Sequence, residues 1–305
     1  MITGLLILLG LATMIVVGGY LIVVYRMIRR PRRQTAGWAL AHGWASTPAE
    51  VGLPFEEWTL DTMDGASLPI WDIPADPDGR AAEKTPVLVV LHGWGRSRID
   101  SLGRVHELLR TPPGGTRRFR TLLPDLRGHG DASAGPTTLG ALETGDIHRL
   151  VEHVDEHPVI LLGHSLGAVI AINVATSGAP SVCSVIAIAP YDRISTPFDG
   201  YLRRRDYPGG PLARLLGLMV DLRGCRMPDT EVILRSCDTR TRFVAGGLDR
   251  TCPPGIVERL AAACPSGTFR VVPEAAHSNH HLVDPAGFRD VLVEALDEAN
   301  TETGT

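Results

Sequence analysis

Residues 159–170 read VILLGHSLGAVI, and this stretch decides the fold. Four apolar residues typical of a buried strand lead directly into a Gly-x-Ser-x-Gly turn, and small apolar residues typical of a buried helix follow. A serine on such a turn needs little bulk around it, and Gly163 and Gly167, two residues before and after Ser165, leave that space. The pattern predicts that Ser165 is held on a strained strand-to-helix turn as a nucleophile.

Short runs rich in Val, Ile and Leu alternate with helix-period segments on both sides of this turn. A β-hairpin is predicted first, with strands near 55–60 and 68–73 joined by Asp64-Gly65. Further strands are predicted at 86–91, 120–123, 158–162, 182–189, 241–245 and 269–272. Helices are predicted at 99–109, 139–154, 168–175, 255–263 and 285–296. This succession predicts an α/β fold with a mostly parallel sheet, helices on both faces and a site at the carboxyl ends of the strands.

The N-terminal region carries no charged residue from Leu5 to Tyr25. A helix over this run is about 31 Å long, close to the thickness of a bilayer's hydrocarbon core. We predict that residues 1–30 form an uncleaved membrane anchor with a helix at about 5–25, because the run exceeds the apolar region of a signal peptide and lacks basic residues before it. Five arginines between 26 and 33 predict, by the positive-inside rule, that the following domain is cytoplasmic.

The rest of the chain divides into a predicted linker and one folded domain. Residues 31–54 contain scattered Pro, Gly and Ala without a sustained period, which predicts the linker. The folded domain is predicted at 55–300, with a short cap insertion at about 193–238, where the alternation of strands and helices lapses. An apolar stripe at helical spacing in the cap has two interpretations, core contact with the sheet edge or the wall of a lid. The stripe consists of Leu212, Leu215, Leu216, Met219 and Leu222.

The composition excludes several classes of protein and site. With 44% apolar and 21% charged residues, the chain is not a disordered protein. A net charge of −4 gives no electrostatic reason to expect nucleic acid binding. Five cysteines without a Cys-x-x-Cys motif or a Cys/His ligand spacing indicate neither a disulfide framework nor a metal site, and no cofactor is predicted.

Two further motifs follow predicted strands. The first is Leu91-His92-Gly93-Trp94-Gly95, similar to an oxyanion loop that contains His-Gly, and the second is the eight-residue run PDLRGHGD at 124–131. Together with the turn around Ser165, these motifs make the chain from about Phe55 to Leu296 resemble the α/β-hydrolase family. The resemblance implies a catalytic triad in the chain order Ser, acid, His.

The resemblance assigns the acid and the base by their positions after strands. Asp249 follows a predicted strand and a Gly-rich turn and is the expected acid, whereas Asp238 precedes the same strand. His277 follows the last predicted strand and a short turn and is the expected base. His280 and His281 are close competitors, but they fall at the start of the next helix, where solvated or packing roles are expected.

The resemblance also implies an oxyanion hole made by the backbone N–H groups of Trp94 and Leu166. We expect a serine hydrolase that cleaves a carboxylic ester or thioester of a small acyl substrate through an acyl-enzyme on Ser165. The anchor favours a lipophilic substrate. An acyltransferase or peptidase using the same triad, and a catalytically silent binding protein of the same fold, stay open as alternatives.

Overall fold

The structure, a computed structural model, describes residues 2–75, 85–110, 119–133, 135–154, 156–204, 206–207 and 209–303. The strands in these residues are β1 (Glu56–Asp61), β2 (Ser67–Ile73), β3 (Val87–Leu91), β4 (Arg120–Pro124), β5 (Val159–His164), β6 (Val182–Ile188), β7 (Arg240–Gly246) and β8 (Gly267–Val272). They form one sheet in the order β1-β2-β4-β3-β5-β6-β7-β8. The pairs β1–β2 and β2–β4 are antiparallel and the other pairs are parallel, which confirms the predicted sheet.

Helices precede the sheet, separate its strands and end the chain. They are α1 (Ile2–Arg29), α2 (Ala36–Ala41), α3 (Arg98–Arg110), α4 (Glu143–Glu152), α5 (Leu166–Thr176), α6 (Ser195–Arg203), α7 (Gly210–Leu222), α8 (Thr230–Leu234), α9 (Pro254–Ala263), α10 (His280–Val283) and α11 (Pro285–Thr303). The helices α6, α7 and α8 lie between β6 and β7, in the region where the alternation of strands and helices lapses.

The sheet is buried on both faces because its central strands are mostly apolar, and β3 is apolar at every position. Along β3, Val87 and Val89 point into one apolar core, whereas Leu88 and Val90 point into the other. Apolar side chains of α4, α5 and α9 contribute to the first core, and those of α3 and α11 contribute to the second. Side chains on opposite sides of a strand therefore meet helices on opposite faces, which is the layered α/β arrangement that the sequence predicts.

The functional edge of the sheet follows from the position of β3. This strand pairs with β4 on one side and with β5 on the other. After β3 the chain forms β4 on one side of β3 and then crosses β3 to form β5 on its other side. The strand order therefore reverses at β3, and a crevice opens at the carboxyl ends of β3 and β5. The loop after β3 carries Trp94 and the turn after β5 carries Ser165, which places both at this crevice.

The helix α1 extends beyond its predicted bounds at both ends, and it is long and apolar enough to cross a membrane. Residues 2–17 are exposed, whereas Leu21, Val24 and Ile28 are buried against the rest of the molecule. The segment 31–54, for which a linker is predicted, contains α2 and buries Ala39 and Leu53 in the second core. The division of the chain into anchor, linker and catalytic domain stays a prediction.

The contact between the Ser165 turn and β3 can be tested at Gly167. A Cβ atom on Gly167 would lie 2.3 Å from the carbonyl oxygen of Leu91. We expect Gly167→Ala to lower the free energy of unfolding by about 2 to 3 kcal/mol, because backbone would have to move. Gly103→Ala is the matched control, since Gly103 lies inside α3 with no atom within 4 Å of the added carbon.

Alanine at Gly103 should instead stabilise the protein by about 0.5 to 1 kcal/mol through its higher helix propensity. The measurement is the denaturant midpoint of the purified full chain in detergent. Similar midpoints for the two variants would contradict the close approach at Gly167.

Candidate active site

Ser165 occupies a sharp turn between β5 and α5. Its backbone angles are φ 53° and ψ −111°, a conformation rarely adopted by a residue with a side chain. A Cβ atom on Gly163 would lie 2.3 Å from the carbonyl oxygen of Gly167. The two glycines flanking Ser165 are therefore required by the turn itself, and the turn presents the serine hydroxyl at the carboxyl edge of the sheet.

The structure brings Ser165, His277 and Asp249 into one chain of hydrogen bonds. His277 Nε2 lies 3.1 Å from Ser165 Oγ, and His277 Nδ1 lies 2.7 Å from Asp249 Oδ2. A carboxylate only accepts hydrogen bonds, so His277 donates from Nδ1 and offers Nε2 as the acceptor for the serine hydroxyl. The arrangement can take a proton from Ser165 and stabilise the positive charge that the imidazole then carries.

Asp249 is fixed by the turn in which it lies. Its side chain is fully buried. Its Oδ1 atom accepts hydrogen bonds from the backbone N–H groups of Thr251 at 2.7 Å and Cys252 at 3.0 Å. These bonds leave Oδ2 directed at His277, and they compensate for the removal of the carboxylate from water.

The loops that carry the acid and the histidine lie side by side. Leu248 N–H donates to the carbonyl oxygen of Ala275 at 2.9 Å. A Cβ atom on Gly247 would lie 2.3 Å from the carbonyl oxygen of Pro273, so only glycine permits this approach. The neighbouring positions of β7 and β8 in the sheet therefore set the distance between Asp249 and His277.

The alternative candidates Asp238 and His280 lie outside the hydrogen-bonded chain of Ser165, His277 and Asp249. Asp238 precedes β7 and so lies at the opposite end of that strand from Asp249. His280, expected in a solvated or packing role, is fully buried, with its ring centroid 6.5 Å from that of His164. Trp94 and Leu166, the predicted oxyanion residues, line the same cavity as Ser165.

His164 contacts the candidate site in a way that the sequence did not reveal. Its Nε2 lies 2.6 Å from the backbone carbonyl oxygen of His277, and the two ring centroids are 5.0 Å apart. Burial lowers the pKa of His164 well below its usual value, so the ring is neutral and donates from Nε2. This bond holds the His277 loop against the Ser165 turn, a contact that becomes visible only when both loops are placed.

A cavity of about 310 Å³ opens in front of Ser165. Most of its wall is apolar or aromatic, and it includes residues from α1, α6 and the loops around them. The apolar and aromatic residues that line the cavity, other than those of the Ser165 turn and the loop after β3, are Ile28, Leu139, Tyr191, Ile194, Pro197, Phe198 and Tyr201 among the described residues. No member of the Leu212 to Leu222 stripe lines the described cavity, and Leu212, Leu216 and Met219 pack in a cluster with residues of α1 and α6.

The end of α1 is built into this cavity. Trp94 Nε1 donates to the carbonyl oxygen of Ile28 at 2.8 Å, which joins α1 to the loop after β3. Thr137 N–H donates to the carbonyl oxygen of Arg29 at 2.9 Å. The C-terminal turn of α1 thus supports two of the loops that surround Ser165.

One group of described residues has the donor types and spacing of a metal site. Ligand atoms of Asp249, Cys252 and His277 lie within 4.8 Å of one another. Both Asp249 oxygens already accept hydrogen bonds, and burial raises the pKa of the Cys252 thiol well above its usual value, which disfavours the thiolate that a metal would need. The group is therefore explained by the hydrogen bonds around Asp249.

A sequence model of the Alpha/beta hydrolase family matches residues 88–291, more than half of the chain. The chain belongs to the alpha/beta hydrolase family. Membership supports hydrolase activity, and the matched residues include the loop after β3, the Ser165 turn and both loops that carry Asp249 and His277.

Individual proteins resemble different lengths of this chain. A magnesium-chelatase 30 kDa subunit of Rhodobacter capsulatus is 31% identical over 147 residues, which are 48% of this chain and only 42% of that protein. A pimeloyl-[acyl-carrier protein] methyl ester esterase of Neisseria meningitidis is 25% identical over 70% of this chain and 79% of its own. A solved Pyrococcus furiosus esterase covers 89% of this chain and 98% of its own, with a TM-score of 0.68 and 20% identity, which shows a shared fold.

The buried histidines around the site predict a loss of stability in acid. Burial lowers the pKa of His280 from 6.5 to about 4, and no hydrogen-bond partner among the described residues compensates either ring nitrogen. In the unfolded chain His280 is protonated below about pH 6.5, whereas in the folded chain it stays neutral until the pH falls to about 4. The contribution of neutral His280 to the free energy of unfolding is therefore fully present above pH 6.5 and is lost as the pH falls towards 4.

We expect His280→Gln to reduce the fall in the thermal midpoint between pH 7 and pH 4.5, because one of the protons taken up only on unfolding is removed. His281 contributes similarly, since burial lowers its pKa to about 4, so part of the pH dependence should remain. His42→Gln, at an exposed histidine, is the control. An unchanged slope in His280→Gln would show that His280 is not buried as a neutral ring.

Proposed function

We propose that this chain is a serine hydrolase that cleaves a carboxylic ester or thioester through an acyl-enzyme on Ser165. The observation that carries the proposal is the hydrogen-bonded chain Asp249–His277–Ser165 at the mouth of a largely apolar cavity. Three observations support the proposal. The strained turn presents the serine, Asp249 accepts a hydrogen bond from His277 Nδ1, and the chain belongs to a hydrolase family.

In this reaction Ser165 Oγ attacks the carbonyl carbon while His277 Nε2 takes the hydroxyl proton. The tetrahedral intermediate collapses when the bond to the leaving alcohol or thiol breaks, and His277 returns its proton to that group. Water then attacks the acyl-enzyme with His277 again as the base, which releases the acid and restores Ser165. Asp249 stays ionised throughout and stabilises the imidazolium formed in each step.

The negative charge on the attacked oxygen needs donors that are already in position. We assign them to the backbone N–H groups of Leu166 and Trp94. Leu166 is the first residue of α5, so its N–H lacks a helical partner and lies at the positive end of the helix dipole. Trp94 follows Gly93, where a Cβ atom would lie 2.9 Å from His164 Nδ1, so this loop lies directly against the Ser165 turn.

The cavity favours a substrate with a lipophilic acyl group. Its wall combines aliphatic side chains of α1 and the loop after β4 with aromatic side chains of α6. Arg96 and Arg204 also line it, and they offer positive charge to a polar end of the substrate. An acyl chain against the apolar wall, with its carbonyl at Ser165, satisfies both parts of the surface.

We also propose that α1 anchors the enzyme in a membrane with the catalytic domain on the cytoplasmic side. The exposed apolar surface of residues 2–17 supports insertion into lipid. The arginines that follow the apolar run support the orientation. The hydrogen bonds of Ile28 and Arg29 to the catalytic domain support a helix retained as part of the folded enzyme.

The nucleophile can be tested by covalent labelling. An activated serine attacks phosphorus as it does carbonyl carbon, so a fluorophosphonate probe should modify Ser165 and block hydrolysis of a p-nitrophenyl ester. Mass spectrometry of the digested protein locates the label. Ser165→Ala should abolish labelling, whereas Ser278→Ala, at a serine lining the same cavity, should retain it. Labelling that persists in Ser165→Ala would refute the proposal.

The acid can be tested with a pair of aspartates at opposite ends of β7. Asp249→Asn should lower kcat for a p-nitrophenyl ester by about 10²- to 10⁴-fold, because the amide no longer selects the productive His277 tautomer. Asp238→Asn should leave kcat within about twofold. The pair has equal change in charge, so a larger effect at Asp238 would contradict the assignment of Asp249.

The orientation can be tested by protease protection. Protease added to intact spheroplasts should leave the catalytic domain uncut, and the same protease should cleave it after lysis. A periplasmic and a cytoplasmic marker protein control for leakage. Digestion in intact spheroplasts would show that the domain lies outside the cytoplasm.

A further inference from the structure

The catalytic cavity is positively charged as well as largely apolar. Arg96 and Arg204 line it, and no Asp or Glu does so among the described residues. The carboxylate of Asp249 is fully buried and accepts a hydrogen bond from His277, so it faces the imidazole and not the cavity. A substrate that reaches Ser165 therefore meets two positive charges and no carboxylate on the described wall.

The two arginines differ in their counter-charges. Arg96 Nε lies 3.9 Å from Asp100 Oδ1, so a carboxylate partly compensates its charge. Arg203, the residue before Arg204, pairs with Asp199 at 2.6 Å. Arg204 itself forms no ion pair with a carboxylate in the described ranges. It therefore brings to the cavity a positive charge that no described carboxylate compensates.

Arg204 is held beside the triad by the packing of α6 on the loop that carries the acid. A Cβ atom on Gly200 would lie 2.6 Å from the carbonyl oxygen of Arg250, so glycine permits α6 to lie directly against this loop. One turn further along, Arg204 Nη1 donates to Thr251 Oγ1. Thr251 N–H in turn donates to Asp249 Oδ1 at 2.7 Å. The guanidinium is thus tied to the same loop as the catalytic acid.

The position of Arg204 at the end of α6 leaves hydrogen-bond donors for a ligand. A basic side chain there stabilises the negative end of the helix dipole, but Arg203 already supplies this charge in the last turn. The bond to Thr251 uses one guanidinium N–H, and the others have no hydrogen-bond partner among the described residues. A carboxylate or a phosphate can accept two parallel hydrogen bonds from a guanidinium. Next to an apolar wall, this charged contact is stronger than it is in water.

We infer that the substrate is an anionic ester or thioester, whose carboxylate or phosphate binds Arg204 while its carbonyl carbon lies at Ser165. The inference rests on the hydrolase function proposed above and specifies the substrate class of that site. The apolar wall contacts the hydrocarbon between the two ends of such a molecule. The anionic group belongs either to the acyl part or to the leaving group, and the experiment distinguishes these two sources.

The test compares esters that differ only in the charge at one end, using the full chain in a non-ionic detergent. For the acyl part, the mono-p-nitrophenyl esters of adipic, suberic and sebacic acid are compared with their methyl p-nitrophenyl diesters. For the leaving group, p-carboxyphenyl octanoate is compared with p-methoxycarbonylphenyl octanoate. The anion preference is the ratio of kcat/KM for the anionic ester to kcat/KM for the neutral ester, divided by the same ratio of rates with hydroxide ion.

The inference requires an anion preference of about tenfold or more in one of the two series, because hydrogen bonds between charged groups are strong. Arg204→Gln should reduce this preference to about one, since the positive charge is removed. Arg204→Lys should retain part of it, because lysine keeps the charge but not the paired donors. Arg203→Gln is the matched control. It removes the same charge from the next residue, which does not line the cavity, and should keep the preference within about twofold.

An anion preference near one in both series would overturn the inference, and so would a preference that Arg204→Gln leaves intact. The preference is a ratio within one preparation, so partial unfolding of a variant cancels from it. If Arg204→Gln is not recovered folded, Arg204→Lys decides, with an expected fall of at least about threefold. Neutral esters that are cleaved without any anion preference would refute the anionic substrate alone. Failure to cleave any of these esters, with no fluorophosphonate label on Ser165, would instead refute the proposed hydrolase function.

Discussion

The close approach of the Ser165 turn to the end of β3 is the constraint on which the site depends. Without a side chain at Gly167, the first turn of α5 lies against the carbonyl oxygens of Leu91 and His92. The loop after β3 and the turn after the neighbouring strand β5 are therefore in van der Waals contact. The same principle acts at Gly247, which lets the acid loop lie against the histidine loop. The close approach of these backbone segments brings Ser165, Asp249 and His277 together.

The helix α1 is joined to the candidate active site by packing and by a hydrogen bond. The side chain of Ile28 lines the cavity, and its carbonyl oxygen accepts the indole N–H of Trp94. The predicted linker also packs on the domain through Ala39 and Leu53. The sequence predicts that the folded domain begins at residue 55, after a linker at 31–54. In the structure, the end of α1 forms part of the wall of the cavity in front of Ser165.

Sequence reasoning succeeded where the determining pattern is local. The apolar strands of the sheet and the glycines around Ser165 each depend on a few adjacent residues. It failed where partners are distant, as with His164 and the carbonyl of His277, which are 113 positions apart. The apolar period of α7 was ambiguous for another reason. Core contact and a lid wall select the same side chains, so the partners of α7 become visible only when α1 and α6 are placed beside it.

In the proposed membrane anchorage, the position of Ile28 links the shape of the cavity to the thickness of the bilayer. A membrane-spanning helix adjusts to hydrocarbon thickness by tilting, and thicker or thinner bilayers impose different tilts. Because the last turn of α1 is hydrogen-bonded to the loop after β3, a tilt would act on the cavity wall through a rigid lever about 40 Å long. In the proposed anchorage, the composition of the membrane would therefore change the shape of the cavity without any regulatory ligand.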